Sequence, residues 1–297
     1  MADQFTVAIN KLDESFNLQE THNYGLAILF SESGFAYCIL DFKRNKYLGI
    51  QQLIRSEVKS QHAIPNAKQS FDDFLKSVLN AMPWLKNQYK SVKIAYEGKK
   101  STLIPAQLFD ASEKESYLKF SFQQKEEEVA FADHLLPMDS YQVFAIPVST
   151  LNAIRGHYPN MKVVHFSSVL IESIWVNYKN RINANRVFIH VREKFFDLMI
   201  FDGRQMSYFN TFPFLNPEDV AYYLVFVLEQ LNFNPEMMPL VLLGNVEKSS
   251  GLFELLFKYV RHVEFGKRNE VFKYSYILNQ LPPQSHYPLL NFFSCGL

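Results

Sequence analysis

The feature that most constrains this chain is a pattern of strands and helices that occurs twice. Three short apolar segments separated by polar turn sequences predict antiparallel strands at residues 24–30, 34–41 and 46–54. A second set follows the same plan at residues 186–191, 195–202 and 205–213. At an offset of 161 the two sets align without gaps, with six identities: Ile28 with Ile189, Glu32 with Glu193, Phe35 with Phe196, Ile39 with Ile200, Asp41 with Asp202 and Tyr47 with Tyr208.

Each set of strands leads into a helix, a strand and a further helix. Ser70 can cap a helix that Pro83 ends, and Asn216 can cap another. Apolar spacing predicts helices at residues 71–82, 110–122, 149–158, 167–178, 218–231 and 250–261, and further strands at 91–97, 141–146, 161–166 and 239–244. The helix at 218–231 has almost no polar face, which predicts burial on several sides.

This order predicts an α/β fold made of two similar βββαβα halves. We expect the first half to span residues 1–181 and the second 182–297, joined by a polar linker at 179–186. The C-terminal segment can pack back on the first half. Because one order of elements occurs twice, the sequence indicates a duplicated domain.

Composition narrows the function classes. Thirty Lys and Arg balance thirty Asp and Glu, so no bulk positive field favours nucleic acid as a partner. Two cysteines, Cys38 and Cys295, are too few for a disulfide framework, which suits a reducing cytoplasm. The longest apolar run, nine residues at 220–228, predicts no transmembrane segment. Histidine spacing suggests no metal site.

A doubled βββαβα unit with a polar hinge resembles the actin-like ATPase superfamily, whose halves are RNase H-like and which includes actin, Hsp70 chaperones and sugar kinases. The second half is most similar to the bacterial pilus-assembly and cell-division actin relatives, on residues 188–202, 240–245, 250–256 and 288–297. The chain resembles an uncharacterised bacterial family with a duplicated actin-like fold. That resemblance implies a cleft between halves in which two hairpins hold the phosphates of ATP through glycine amides and an Asp holds Mg²⁺ through water.

The hairpin sequences depart from that pattern. In the first, Leu29 or Ser31 stands where the family has Asp. In the second, His190 takes the Asp place, and side chains replace the glycines that let backbone approach phosphate. The candidate residues of this degenerate cleft are Ser31, Glu32, Ser33, Gly34, Arg192, Lys194, Gly244 and Asn245.

We therefore expect a non-catalytic actin-like scaffold that binds a protein or peptide partner, with no catalytic residue, metal or cofactor. The alternative is an ATP-binding enzyme or switch in which Glu32 or Asp197 holds Mg²⁺ and Arg192 or Lys194 contacts phosphate. A third hypothesis is a small ligand bound in the cleft without hydrolysis. Nuclease chemistry of the RNase H type needs a carboxylate on the first strand, and residues 26–30 contain none.

Overall fold

A computed structural model describes residues 5–55, 70–123, 127–179 and 185–297. The chain divides into two compact units. The first comprises residues 1–172, 271–278 and 288–297, and the second comprises 173–270 and 279–287. The boundary predicted at residues 181 and 182 lies outside the described residues.

The elements follow the predicted order with additions. In chain order the strands are β1 (Phe5–Leu12), β2 (Tyr24–Ser31), β3 (Gly34–Asp41), β4 (Lys46–Arg55), β5 (Ser91–Glu97), β6 (Ser101–Pro105), β7 (Glu128–Leu135), β8 (Ser140–Pro147), β9 (Val163–His165), β10 (Arg186–Val191), β11 (Phe195–Asp202), β12 (Gln205–Pro213), β13 (Leu240–Gly244), β14 (Val263–Phe265) and β15 (Lys273–Tyr274). The α-helices are α1 (Phe71–Ala81), α2 (Lys114–Ser121), α3 (Val148–His157), α4 (Phe166–Tyr178), α5 (Pro217–Gln230) and α6 (Gly251–Tyr259). None of the helices within the described ranges is long and apolar enough to cross a membrane.

The main sheet of the first unit has the strand order β1-β4-β3-β2-β5-β9, and β15 also pairs with β4. Strands β2, β3 and β4 form the antiparallel meander, while β5 and β9 add in parallel to β2. Residues Leu26, Ile28 and Phe30 of β2 face a core that includes α1 and α3. The alternation of side chains along a strand places this set on one face of the sheet.

The sheet of the second unit has the order β12-β11-β10-β13-β14, with the same strand directions as β4-β3-β2-β5-β9. Helices α5 and α6 pack on the face formed by Val187, Ile189 and Val191 of β10. The opposite face carries Phe188, whose ring meets Tyr178 of α4 edge-on. The predicted α/β fold with two similar βββαβα halves is confirmed.

A three-stranded sheet, β6-β8-β7, was only partly predicted. It lies between β5 and α3 in sequence, and α2 packs on it through Leu118 against Val143 and Ala145. The sequence predicted a strand at residues 141–146, within β8, but neither β6 nor β7. Within the described part, Glu128 begins β7, and its carboxylate accepts a hydrogen bond from Lys100 at 2.7 Å.

The predicted burial of α5 on several sides is wrong. Val220, Leu224 and Leu228 pack into the core of the second unit, but Tyr222 is 63% exposed and Phe226 is 46% exposed. The sequence did not show that only one face of α5 is buried, because Tyr222 and Phe226 are counted as apolar whether they face the core or the solvent. Single exposed apolar residues are common, so hydrophobicity alone does not establish burial.

A buried carboxyl group ties β7 to the start of α4. Asp133 is 2% exposed and accepts hydrogen bonds from the backbone N–H of His165 and from Ser168 Oγ, each at 2.7 Å. Burial raises the pKa of Asp133 from 3.8 to about 6, against the opposing effect of these two hydrogen bonds. The charge of Lys162 also lowers the pKa of Asp133, and the charge of Glu172 raises it. Compared with the unfolded chain, the folded state therefore holds the proton of Asp133 up to a higher pH.

We predict that Asp133→Asn makes stability less dependent on pH. A folded-state pKa above the unfolded one means that the wild type loses roughly 2–3 kcal/mol of unfolding free energy as pH rises from about 4 to about 6, because the carboxyl group ionises in a buried place. Asparagine keeps the acceptor oxygen without ionising. Urea unfolding at a series of pH values should show the stability of the variant relative to wild type increasing across that window. Ser168→Ala, which removes a donor to the carboxylate, should move the window to higher pH. A constant difference between Asp133→Asn and wild type would contradict the assignment.

Candidate functional site

The candidate residues lie at the carboxyl ends of parallel strands, where open α/β sheets generally bind ligands. In the first unit, Ser31 ends β2 and leads into the turn to β3. In the second unit, Val191 ends β10 beside Gly244, the last residue of β13. The structure therefore places the predicted residues on the expected edge of each sheet.

The first hairpin is a tight turn closed by its own side chains. Ser31 pairs with Gly34 across the turn, and the Gly34 N–H donates to Ser31 Oγ at 3.1 Å. Ser33 Oγ lies 3.1 Å from Ser31 Oγ. A side chain at Gly34 would place Cβ 2.1 Å from the carbonyl oxygen of Leu53 on β4. Glycine is therefore required here by the approach of a neighbouring strand.

Glu32 at the tip of this turn is held by two cations. Lys99 Nζ lies 2.6 Å from its carboxylate, and the Arg55 guanidinium donates to its carbonyl oxygen at 2.8 Å. Beside them is an open cavity of ≈ 350 Å³, lined by Ser31, Glu32, Arg55, Phe71, Tyr96, Pro147, Ser149 and Thr150. Its lining combines the Arg55 guanidinium and the Glu32 carboxylate with hydroxyl groups and two aromatic rings. The guanidinium and the hydroxyl groups can hydrogen-bond to a polar ligand, while the carboxylate opposes an anionic one.

The second hairpin is organised by a buried carboxylate that the sequence considered only as a metal ligand. Asp197 on β11 has no exposed surface. Its carboxylate accepts hydrogen bonds from the Arg192 guanidinium at 2.9 Å and from Thr211 Oγ1 at 2.7 Å, and it lies 3.2 Å from His190 Nδ1. Burial raises the pKa of Asp197, but Arg192 and His190 outweigh burial and lower it to about 2.

Arg192 is therefore committed to its own hairpin. Its backbone N–H donates to the carbonyl oxygen of Phe195 at 2.8 Å, which closes the turn, and its guanidinium lies 5.6 Å from the centre of the Phe195 ring. Lys194, in the same turn, is exposed, as is Glu193. The sequence treated Arg192 and Lys194 as equivalent candidates for binding phosphate. In the structure they differ, because Arg192 is bonded to Asp197 and Lys194 faces solvent.

The turn after β13 also uses its donors internally. The Gly244 N–H donates to the carbonyl oxygen of Gln284 at 2.9 Å, and the Asn245 N–H donates to that of Val191 at 2.8 Å. Gly244 has φ +81°, and a side chain there would place Cβ 2.1 Å from the Val191 carbonyl oxygen. The Gln284 side chain in turn donates to Val246 at 2.7 Å. This edge of the second sheet is consequently filled by the segment at 279–287.

Sequence reasoning missed Gln284 and His286. Gln284 is buried. Burial lowers the pKa of His286 to about 4, and the nearby His190 lowers it in the same direction. Neither residue belongs to a motif, and about forty residues separate Gln284 from Gly244, so no local pattern could have paired them. Across the described ranges, no group of three or more His, Cys, Asp or Glu side chains is placed to hold a metal ion.

The strand order of both sheets, with glycine turns at their carboxyl edges, defines an actin-like ATPase fold. A protein of Bacteroides thetaiotaomicron described as having an actin-like ATPase fold and unknown function is similar over 94% of this chain and 99% of that one, with 24% identity and a TM-score of 0.77. The PilM-PilN type IV pilus biogenesis complex contains a chain similar over 92% of this chain and 98% of its own, with 12% identity and a TM-score of 0.58.

The chain belongs to the family described as "Protein of unknown function (DUF3822)", whose sequence profile matches residues 13–263. No curated protein matches it in sequence. The resemblance inferred from the sequence to an actin-like family is confirmed.

We predict that Arg192→Ala destabilises the protein strongly while Lys194→Ala does not. Removing Arg192 leaves the Asp197 carboxylate buried without its main cation, which costs about 3–5 kcal/mol in comparable buried pairs. Lys194 is exposed, so its loss should change the unfolding free energy by no more than about 0.5 kcal/mol. Chemical denaturation of both variants measures the difference.

Adding Asp197→Asn to Arg192→Ala should recover part of the lost stability, because the orphaned charge is then removed. Equal effects of Arg192→Ala and Lys194→Ala would contradict this role for Asp197.

Proposed function

We propose that this chain is a non-catalytic actin-like scaffold that binds a protein or peptide partner and does not use ATP or Mg²⁺. One observation carries the proposal: four backbone N–H groups at the candidate phosphate loops already donate within their own units. The donors are Gly34, Arg192, Gly244 and Asn245, with acceptors on Ser31, Phe195, Gln284 and Val191 respectively. The repeated strand order also supports descent of the two halves from one duplicated domain.

Phosphate recognition by a loop depends on N–H groups that point at the ligand without an internal partner. Here, a phosphate at any of these four N–H groups would have to replace an existing hydrogen bond with a net value of about 0.5–1.5 kcal/mol. Asp197 is equally unsuited to holding Mg²⁺ through water, because it is fully buried and held by Arg192 and Thr211. These constraints favour a fold whose ligand chemistry has been replaced by internal contacts.

The proposal that the partner is a protein comes from the similar PilM-PilN structure. The PilM chain similar to this one is seen in a complex with PilN. We extend to this chain only the general mode of action, in which an actin-like fold serves as a binding platform for another protein.

The alternative, an ATP-binding enzyme or switch, is favoured by the cavity beside Ser31. Arg55 lies in its lining, and Ser149 and Thr150 contribute hydroxyl groups. If a phosphate binds this protein, Arg55 is better placed than Arg192 to contact it, since Arg192 is bonded to Asp197. Within this alternative, the cavity therefore assigns Arg55 to the ligand, whereas the second hairpin would assign Arg192 or Lys194.

Titration calorimetry with Mg-ATP tests the proposal. We expect no saturable heat up to about 1 mM nucleotide and no stabilisation in a parallel thermal-shift series, where a ligand at a hundredfold excess over Kd adds about 2.7 kcal/mol. Sub-millimolar binding that Arg55→Ala abolishes and Lys194→Ala preserves would establish the alternative. Sub-millimolar binding lost in Lys194→Ala would instead support the hairpin assignment, and either result would overturn the scaffold proposal.

A further inference from the structure

Strand β12 has an open outer edge in the second unit. It ends the sheet order β12-β11-β10-β13-β14 and, among the described residues, pairs only with β11. In the first unit the strand at the same place in the order is β4, and β1 pairs with its outer edge in antiparallel direction over Phe5–Leu12. The first unit therefore shows that this edge of the fold accepts one further antiparallel strand.

The register of β12 shows which of its backbone groups face outward. The Phe214 N–H donates to the carbonyl oxygen of Lys194 at 3.1 Å, in the register that continues through β12. Hydrogen-bonded and non-hydrogen-bonded pairs alternate along an antiparallel ladder, so the even-numbered residues of 208–212 bond to β11. Phe209 and Thr211 consequently direct their N–H and C=O groups away from the sheet.

The regular part of this outer edge is symmetric about Asn210. Ser207 is an extra residue in the ladder with β11, which makes a bulge on one side. Pro213, which has no N–H group, limits the edge on the other side. The Asn210 side chain lies at the centre and accepts a hydrogen bond from the Thr211 N–H at 2.9 Å, as expected where β11 does not use that donor.

The side chains of β12 are suited to pairing with the same strand of a second copy. A twofold axis through residue 210, perpendicular to the sheet, places Phe209 opposite Thr211 and Tyr208 opposite Phe212. Aromatic residues paired with β-branched or other aromatic residues are favourable across antiparallel strands. Residues 205–217 contain no charged side chain, so no charge meets its own copy at the axis. Natural edge strands usually carry charges that prevent such pairing.

The nearest charges also favour a second copy. Arg204 directly precedes β12, and Glu218 is the first charged residue after it; both are exposed. Antiparallel pairing brings the Arg204 end of one copy beside the Glu218 end of the other, twice by symmetry. Asp219 is held by the cap of its own helix. Three further charged residues belong to β11 or the turn before it, one strand away from the edge: Glu193, Lys194 and Asp202.

We infer that the outer edge of β12 pairs antiparallel with β12 of a second copy, about a twofold axis at Asn210. The Phe209 and Thr211 backbone groups then bond to Thr211 and Phe209 of the second copy, and the Asn210 side chain releases the Thr211 N–H. Leu215, which is 96% exposed just after β12, is covered by the start of the other β12. The outward backbone groups alone would accept any extended strand, whereas the symmetric segment and the flanking charges select a second copy. The inference does not rest on the proposed function.

Sedimentation equilibrium of the full chain between about 1 and 200 µM tests dimer formation, since specific interfaces generally have Kd values in or below that range. We expect a mass approaching twice 34.7 kDa. Asn210→Lys or Asn210→Asp alone places like charges opposite each other at the axis and should raise the dimer Kd at least about tenfold. An equimolar mixture of the two variants should dimerise with a Kd within about threefold of wild type, because opposite charges then meet. Gln205→Lys, on the same strand but away from the axis, is the matched control, and far-UV circular dichroism checks that each variant is folded.

A cysteine placed at the axis tests the register. Residue 210 faces its own copy at a non-hydrogen-bonded position, where Cα atoms lie about 4.5 Å apart, within the range that a disulfide bridges. Asn210→Cys treated with oxidised glutathione should therefore give a covalent dimer on a non-reducing gel. Gln205→Cys should not, because ten residues of strand separate it from its own copy by about 34 Å. Wild type is a further control, since Cys38 and Cys295 are buried.

Three results would each overturn the inference. The first is a wild type that stays monomeric at about 200 µM, which would leave the β12 edge to a strand of a different protein. The second is an Asn210→Lys variant that dimerises as tightly as wild type. The third is a dimer that Asn210→Cys and Gln205→Cys cross-link equally, which would show that the copies meet elsewhere.

Discussion

The second unit depends on the neutralisation of one buried carboxylate. Asp197 lies on the central antiparallel strand of the meander with no exposed surface. A buried charge of this kind is tolerated only when a cation and hydrogen-bond donors are fixed around it. Arg192, Thr211 and His190 fulfil that requirement, which fixes the conformation of the hairpin between β10 and β11. The guanidinium is thereby turned inward, and no glycine is needed in the turn.

The two sheets share a strand order but complete their carboxyl edges differently. In the second unit, the Gln284 carbonyl accepts the Gly244 N–H, so the chain itself satisfies the donor at the end of β13. In the first unit, the hairpin is closed by Ser31, yet a cavity lined by Arg55 remains beside it. A common topology therefore specifies where a ligand site can form, while individual side chains and their hydrogen bonds decide whether any donor is left for a ligand.

Much of the fold was predictable because it depends on local patterns. The meanders follow from short apolar runs with polar turns, and the capped starts of α1 and α5 follow from Ser70 and Asn216. Strands β1, β6 and β7 were missed, since their residues are largely half-exposed and lack a clear alternation. The exposed face of α5 was missed because hydrophobicity does not record which side of a helix has a neighbour.

The site was predictable in position but not in chemistry. The hairpin at Ser31–Gly34 and the turn at Gly244 could be predicted because each follows a predicted strand whose position matches the order of elements in the actin-like fold. Their partners were not predicted. Gln284 lies far from Gly244 in the sequence, and Asp197, although it lies opposite His190 across the predicted hairpin, was considered only as a metal ligand. Arg192 illustrates the difference: in the sequence it is an available cation, whereas in the structure its guanidinium is hydrogen-bonded to Asp197 and lowers the pKa of that buried carboxyl group.

The first unit draws on its C-terminal segment. Lys93 Nζ on β5 donates to the carbonyl oxygens of Phe292 and Cys295 at 3.1 and 2.7 Å, and a side chain at Gly25 would collide with the Phe293 ring. Burial lowers the pKa of Lys93 because its amino group loses water, and the two carbonyl oxygens supply acceptors in place of that water. In both units, segments near the C-terminal end of the sequence contact a sheet built from earlier residues. Residues 288–297 do so in the first unit, and residues 279–287 in the second. Each sheet is therefore completed by contacts with residues that lie far along the chain from its strands.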